Sequence, residues 1–383
     1  MRRARLAAVG LLVLAGLAGT VHAGGWYDNC PVFVDQSDGT APWTTGTPES
    51  QGLDPAKLLA GVDAVKGDRD IRAVLVIRNG VLVYEGYFHG AGIATALPLH
   101  SASKAHLALG CCMAVDEGKL ASLDVPVAEV IPRFFSKYAA NDLRRTITVR
   151  DLLGHTTALN WTTRQEDKGI DAASWVQAVL DQKLVTRRGR TVRPGDIFKY
   201  STGNYHVASA VLQAAVGEKA ETYVNRRILA PLGAETEHWA TDPEGFSTGG
   251  FRVNMTAREM AAFGLMMLDG GRNRAGQQIV PAWCVAECLR DGGFDYGLGW
   301  WIGEIADQNQ RRWQVIYAWG WGGQVIYLAP GLGLVVVMTA DTALDVWEEE
   351  PDHEALVRAI ICATQQDNND GDDRHHRRRR NRR

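Results

Sequence analysis

Apolar and polar positions change period twice along this chain. After an irregular stretch over 24–50, rich in Gly, Pro, Thr and Ser, the residues Leu58, Leu59, Val62 and Val65 recur at helical spacing. Asp54 as cap and Pro55 at the first helical position predict that this helix begins there. The period then shortens to that of strands. Ala73-Val74-Leu75-Val76-Ile77 and Val81-Leu82-Val83-Tyr84 flank Asn79-Gly80, the signature of a two-residue hairpin turn. From about residue 101 to 289 the helical period dominates, with helices predicted over 102–117, 171–182, 204–216, 220–229 and 256–268. Beyond Tyr296 the pattern returns to short β-rich segments, 299–303, 313–318, 324–329 and 334–339, and a last helix is predicted over 351–364.

Strands therefore come from both ends of the chain and helices from its middle. This predicts an α+β fold: one antiparallel sheet built from the early hairpin and the late strands, flanked by the terminal helices, with a large central helical subdomain over about 101–290. The folded domain spans 51–366, and a cleft between its two parts is the natural place for a site.

Composition changes this picture mainly at the ends. The 383 residues are 46% hydrophobic and 22% charged, ordinary for a globular protein. Arg2, Arg3 and Arg5 precede an uncharged apolar run over 6–21, and Val21-His22-Ala23 carries small residues where a signal peptidase reads. Residues 1–23 thus read as a cleaved signal peptide, which makes the protein exported, periplasmic or secreted, with no stable membrane insertion afterwards. The run is short for a bilayer span, which argues against the alternative of an uncleaved anchor. All six cysteines follow the leader, so disulfides are permitted but their pairing is open, and adjacent Cys111 and Cys112 are poor partners for each other. No Cys-x-x-Cys or His cluster has metal-ligand spacing, and no cofactor is expected. The net charge of −3 hides an asymmetry: leader and terminal Arg-rich stretch set aside, residues 24–373 carry 31 basic against 44 acidic side chains, a net of −13. An acidic body argues against nucleic acid as substrate. The Arg-rich tail over 367–383 reads as a disordered, solvated segment.

Candidate chemistry begins with Ser101-Ala102-Ser103-Lys104 at the head of the 102–117 helix. A Ser and a Lys three apart lie on one helical face, and the free N–H groups at a helix start stabilise negative charge beside the Ser oxygen. The helix after Lys104 is apolar nearly all round, which marks it as buried. A desolvated amine beside a hydroxyl is equipped to take its proton. Downstream, Tyr200 precedes a turn and a new helix in Lys199-Tyr200-Ser201-Thr202-Gly203-Asn204, where its phenol can act as base and then acid, or simply pack. In Trp319-Gly320-Trp321-Gly322-Gly323 the glycines let backbone approach a ligand, and an N–H from this edge can join that of Ser101 as an oxyanion hole. Gly245-Phe246-Ser247-Thr248-Gly249 fits a nucleophile-elbow pattern, but it sits in loop chemistry rather than between strand and helix, so Ser247 is set aside.

This order of motifs resembles the serine β-lactamase and penicillin-recognising superfamily, and looks most like its class C-related esterases and 6-aminohexanoate-dimer hydrolases. The residues that carry the resemblance are Ser-x-x-Lys at 101–104, Tyr-Ser-Thr-Gly-Asn from Tyr200, 99 residues on, and the Gly-rich edge at 319–323, supported by stretches at 152–157, 249–251, 279–281 and 296–301. It implies that Ser101 is the acylated nucleophile, that Lys104 and Tyr200 handle its proton, and that the N–H groups of Ser101 and Trp321 hold the oxyanion. Thr202, Trp319, Gly320, Gly322 and Gly323 then line the substrate pocket, and Trp300 and Trp301 are further candidates. His155 belongs to a structural loop in this reading. The sequence departs from the family twice. Thr202 stands third in the Tyr-x-Asn pattern, and no cation occupies the edge where β-lactamases carry a Lys that holds the substrate carboxylate. That absence favours a small ester or amide with an apolar flank over a β-lactam or D-Ala-D-Ala peptide; a non-catalytic binding homologue is the alternative.

Overall fold

The Asn79-Gly80 turn forms as predicted. Both residues have positive φ, 52° and 78°, the twist that lets a two-residue loop join antiparallel strands. The flanking strands are β1 (Ile71–Arg78) and β2 (Val81–Tyr87). Four late strands join them: β3 (Trp301–Ala306), β4 (Arg312–Gly320), β5 (Gln324–Ala329) and β6 (Leu334–Ala340). They make a six-stranded sheet in the order β2-β1-β6-β5-β4-β3, every neighbouring pair antiparallel. The two chain ends thus meet in the middle of the sheet, where β1 pairs with β6. These statements rest on a computed structural model that describes residues 42–68, 70–161, 172–342 and 352–364, all within the compact unit of residues 34–383. The leader, Cys30, most of the 24–50 segment and the C-terminal tail lie outside the described residues.

Alternation along the strands sends side chains to two cores. One face, with Val74, Val76, Val325, Val336 and Met338, is covered by α1 (Pro55–Lys66) and the last helix, His353–Ala363. Asp54 caps α1 by accepting the N–H groups of Ala56 and Lys57, as the sequence predicts. The other face, with Leu75, Ile77, Ala318, Ile326 and Val337, packs on the helical region. That region includes α2 (Lys104–Asp116), α3 (Thr202–Val216), α4 (Ala257–Leu268) and α5 (Ala282–Leu289); the terminal His353–Ala363 helix is α6. Thr256 and Glu259 close a capping box at the start of α4. Gly264 lets α4 sit directly on the sheet, since a Cβ there would stand 2.7 Å from Ile326 Cγ2.

Several predicted boundaries shift: the strand expected over 299–303 runs Trp301–Ala306, the helix expected over 204–216 begins at Thr202, and α5 lies outside the predicted helices. The helix expected over 102–117 begins with a 3-10 turn, His100–Ser103, before α2 proper. The one expected over 220–229 is α-helical to Val224 and continues as a π-turn, Asn225–Leu229. Of the one expected over 171–182, the described part is Trp175–Leu180. Cys111 and Cys112 of α2 and Cys284 and Cys288 of α5 are buried free thiols, with 3.7 Å between the Cys112 and Cys288 sulfurs. Among the described residues, no helix is long and apolar enough to cross a membrane.

Candidate active site

Lys104 is the largest anomaly in the core: the first residue of α2, it is 1% exposed. Its helix is buried along nearly its whole length, so the amine has no route to water and must find partners inside. It finds three. Nζ lies 2.9 Å from Ser101 Oγ, 3.2 Å from Thr202 Oγ1 and 3.1 Å from the Gly250 carbonyl oxygen. The ring of Tyr200 lies 5.1 Å from the same nitrogen, and that of Tyr205 5.6 Å. Nζ donates toward all three oxygens, so the amine and the Ser101 hydroxyl are already in hydrogen-bond contact and the other two partners fix the amine's position. Thr202, where the motif has Asn, therefore serves Lys104 through its hydroxyl.

Each of these groups is held by local structure. Ser101 sits in the 3-10 turn just before α2, and His100 in front of it has φ 47°, a left-handed conformation that costs a non-glycine residue about 1–2 kcal/mol. Ser103 stabilises the turn by donating its hydroxyl to the His100 carbonyl at 2.7 Å. Thr202 opens α3 behind Ser201, whose hydroxyl accepts the Asn204 N–H. Tyr200 is fixed from below by His155. The His155 carbonyl accepts the Lys199 N–H at 2.8 Å, its Nδ1 accepts the Ser201 N–H at 3.2 Å, and its ring tilts against that of Tyr200 at 4.3 Å. His155 is thus a structural support for the Tyr200 segment. Ser247 is fully buried, and its hydroxyl accepts the Glu221 N–H, so it has no access to a substrate.

The Gly-rich edge closes the other side. The turn Trp321–Gly323 between β4 and β5 uses Gly322 and Gly323 at φ 84° and 92°. Gly320 runs so close to the Ser101 turn that a Cβ would stand 2.0 Å from the Leu99 carbonyl oxygen. Trp321 is 46% exposed and meets the His100 ring edge-on at 5.3 Å. Ser101, Lys104, Tyr200, Thr202, Gly320 and the Trp321 turn are thereby brought together. Trp319 is not, and this corrects its assignment to the pocket. Strand alternation turns its indole to the opposite face of the sheet, where it packs at 6.1 Å from His353 of α6. Trp300 is also core, fully buried and stacked on Phe263. Trp301 does reach the site, stacking on Tyr200 at 5.6 Å. A separate surface groove of about 720 Å³, lined among others by Ile131, Arg133, Phe134, Gln213 and Phe246, shares no lining residue with this cluster.

Gly250 is the residue that sequence reasoning missed, although the Gly249-Gly250 pair was its signal. Its φ is 88°, and a Cβ would stand 2.5 Å from Lys104 Cγ and 3.0 Å from Nζ. Gly250→Ala is therefore expected to cost about 1–3 kcal/mol of stability from backbone strain alone and to displace the amine, lowering turnover at least about tenfold. Gly67→Ala, in open space at φ −75°, is the control and should be neutral or slightly stabilising in a thermal melt.

Three histidines around the nucleophile are held neutral. Burial, then the charge of Lys104, push His100 down to about 4. Burial pushes His106, stacked on Phe263 at 3.9 Å, down to about 3. Burial and Lys104 together hold His155 well below the usual imidazole range. Because the unfolded chain binds these protons first, stability is fully present above about pH 6.5 and is lost as pH falls from there toward 4. A thermal-unfolding midpoint flat from pH 7 to 8 and falling steeply below 6.5 is expected; one unchanged down to pH 4 would contradict these placements.

Comparison with known proteins agrees with this architecture. The chain is 24% identical over 295 residues to the 6-aminohexanoate-dimer hydrolase of Paenarthrobacter ureafaciens, covering 69% of this chain and 71% of that one. Among solved structures it superposes on EstCE1, a hydrolase with promiscuous acyltransferase activity, with TM-score 0.62, 18% identity and coverage of 81% and 99%. It also superposes on a D-stereospecific amidohydrolase from Streptomyces sp., with TM-score 0.59, 16% identity and coverage of 82% and 100%. At such identities the two structural likenesses establish the fold. The family model described as Beta-lactamase matches residues 63–359, most of the folded chain, and the protein belongs to that family of hydrolases.

Proposed function

We propose that this protein is an exported serine hydrolase that cleaves small esters or amides through an acyl-enzyme on Ser101. The observation that carries the reading is the 2.9 Å contact between the Ser101 hydroxyl and a Lys104 amine sequestered from water. In the forward step Ser101 Oγ attacks the substrate carbonyl carbon while its proton passes to Lys104 Nζ. The carbonyl oxygen becomes the oxyanion and takes hydrogen bonds from the Ser101 and Trp321 N–H groups, a type of donor worth roughly 2.7–4 kcal/mol each in the transition state. Collapse breaks the bond to the alcohol or amine, which leaves with a proton supplied by the Lys104–Tyr200 pair. Water then attacks the acyl-enzyme and gives a proton to the same pair; the acyl carbon–Oγ bond breaks, the pair passes that proton to Ser101 Oγ, and the acid is released.

The family membership supports hydrolysis, and the relatives named for an amide dimer and a D-amidohydrolase support amides alongside esters. No cation stands among Trp319–Gly323 to receive a substrate carboxylate, which favours neutral substrates over β-lactams. The test is labelling with a fluorophosphonate and mapping of the adduct. Modification of Ser101 together with turnover of p-nitrophenyl esters supports the reading; ligand binding without label or turnover would move the protein to a non-catalytic binding role, and rapid hydrolysis of a chromogenic cephalosporin to a β-lactamase. Export is tested separately by fractionating the native host and sequencing the mature N-terminus, expected at Gly24.

A further inference from the structure

We infer that the site takes a substrate with an extended, uncharged apolar acyl chain, laid along a shelf of aromatic rings that ends at Lys104. This rests on the acyl-enzyme reading above and names the substrate class that reading leaves open. The shelf begins at the surface with Phe294, 39% exposed. Its ring lies 5.9 Å from Phe198, Phe198 lies 6.0 Å from Trp301, and Trp301 stacks on Tyr200 at 5.6 Å. Tyr200 in turn lies 5.1 Å from Lys104 Nζ. Tyr296, buried beneath, braces the row at 5.5 Å from Phe198 and 4.8 Å from Trp301. None of these side chains carries a charge.

The exposure of Phe294 sets this row apart. A phenyl ring left in water forfeits burial that would stabilise the fold, and it has no polar atom to justify its position. Of the two other large apolar side chains exposed among the described residues, Trp283 at 42% donates its indole N–H to Asp116 and Trp321 at 46% meets the His100 ring edge-on beside the nucleophile; the Phe294 ring has no polar atom to place. Among the described residues its ring neighbour is Phe198, which leads inward, toward the reacting atoms. A row of rings continuous with a catalytic amine, open at one end and free of charge, is built to desolvate an apolar chain whose carbonyl sits at the other end. Each ring step spans several methylenes, so the preference should rise with chain length beyond acetate.

The experiment compares kcat/KM for p-nitrophenyl acetate, butyrate, hexanoate and octanoate on the full-length protein, beside fluorophosphonate labelling of Ser101. A methylene taken fully from water is worth about fourfold. With partial burial along the shelf, hexanoate should exceed acetate by about tenfold to a hundredfold. Phe294→Ala, at an exposed position, should lower that ratio at least about threefold, and Phe294→Leu should restore most of it. Phe198→Leu serves as a second, volume-retaining variant and should also lower the ratio. Labelling at Ser101 with a ratio near one or below, or with Phe294→Ala keeping the wild-type ratio, overturns the inference alone. Failure to label Ser101 with no ester turned over overturns the hydrolase reading and the inference with it.

Discussion

Ser101→Ala is expected to abolish fluorophosphonate labelling and to lower kcat by about 10⁵–10⁶-fold, the loss seen when a serine nucleophile is removed and only binding and oxyanion donors remain. The effect should be chemical rather than structural. Ser101 is partly exposed, and among the described residues its hydroxyl meets Lys104 and no backbone group; Lys104 keeps Thr202 and Gly250 as partners. The melting temperature should therefore stay close to that of the wild type. Two other serines supply the controls. Ser103 donates to the His100 carbonyl and Ser247 accepts the Glu221 N–H, so alanine at either position should leave the label on Ser101. An adduct that survives in Ser101→Ala and maps elsewhere would end the assignment.

Lys104→Met should lower kcat by about 10³–10⁴-fold, roughly 4–5.5 kcal/mol at the transition state, as expected for loss of a positioned general base. Its effect on stability separates catalysis from folding. Removing an amine that is 1% exposed relieves a desolvation cost, yet it leaves Thr202 Oγ1 and the Gly250 carbonyl without their donor, which costs about 1–3 kcal/mol. The two terms oppose each other, so the protein should stay folded with a melting temperature near that of the wild type while turnover collapses. Tyr200→Phe keeps the stack on Trp301 and the contact with His155 and removes only the phenol oxygen. It should slow turnover by about 10²–10³-fold, and the double variant should lose much less than the product of the two, since both groups move one proton. Wild-type rates in either single variant would mean that the proton travels by another route.

Much of this fold follows from local pattern. The alternation around Asn79-Gly80 and in the late segments gave the strands, and their concentration at both chain ends gave the antiparallel sheet. The caps at Asp54 and Thr256 lie where local chemistry puts them. The Ser101–Lys104 pair was legible because its geometry is nearly a property of one turn: residues three apart at a helix start share a face. The apolar helix that follows made the burial of Lys104 legible too.

The remaining features depend on which distant segments pack together. Trp319 and Trp321 are two residues apart in one Gly-rich segment, yet the first faces α6 and the second His100. The turn after Gly320 ends the alternation, so composition could not separate them. Gly250 reaches Lys104 across 146 residues and Thr202 across 98. Neither contact leaves a trace in spacing, because each is set by how α2, α3 and the segment before α4 pack. The aromatic row joins Phe198 and Tyr200 to Phe294 and Trp301 in the same way. By itself the sequence determined the hairpin and the late strands, the long helices α1 to α4 and α6, the Asp54 cap and the serine–lysine pair, all of which depend on residues within a turn or two of each other. Only the tertiary structure decided the amine's other two partners, the orientation of the tryptophans and the row of rings beside the nucleophile, because those are set by close packing between segments about a hundred residues apart.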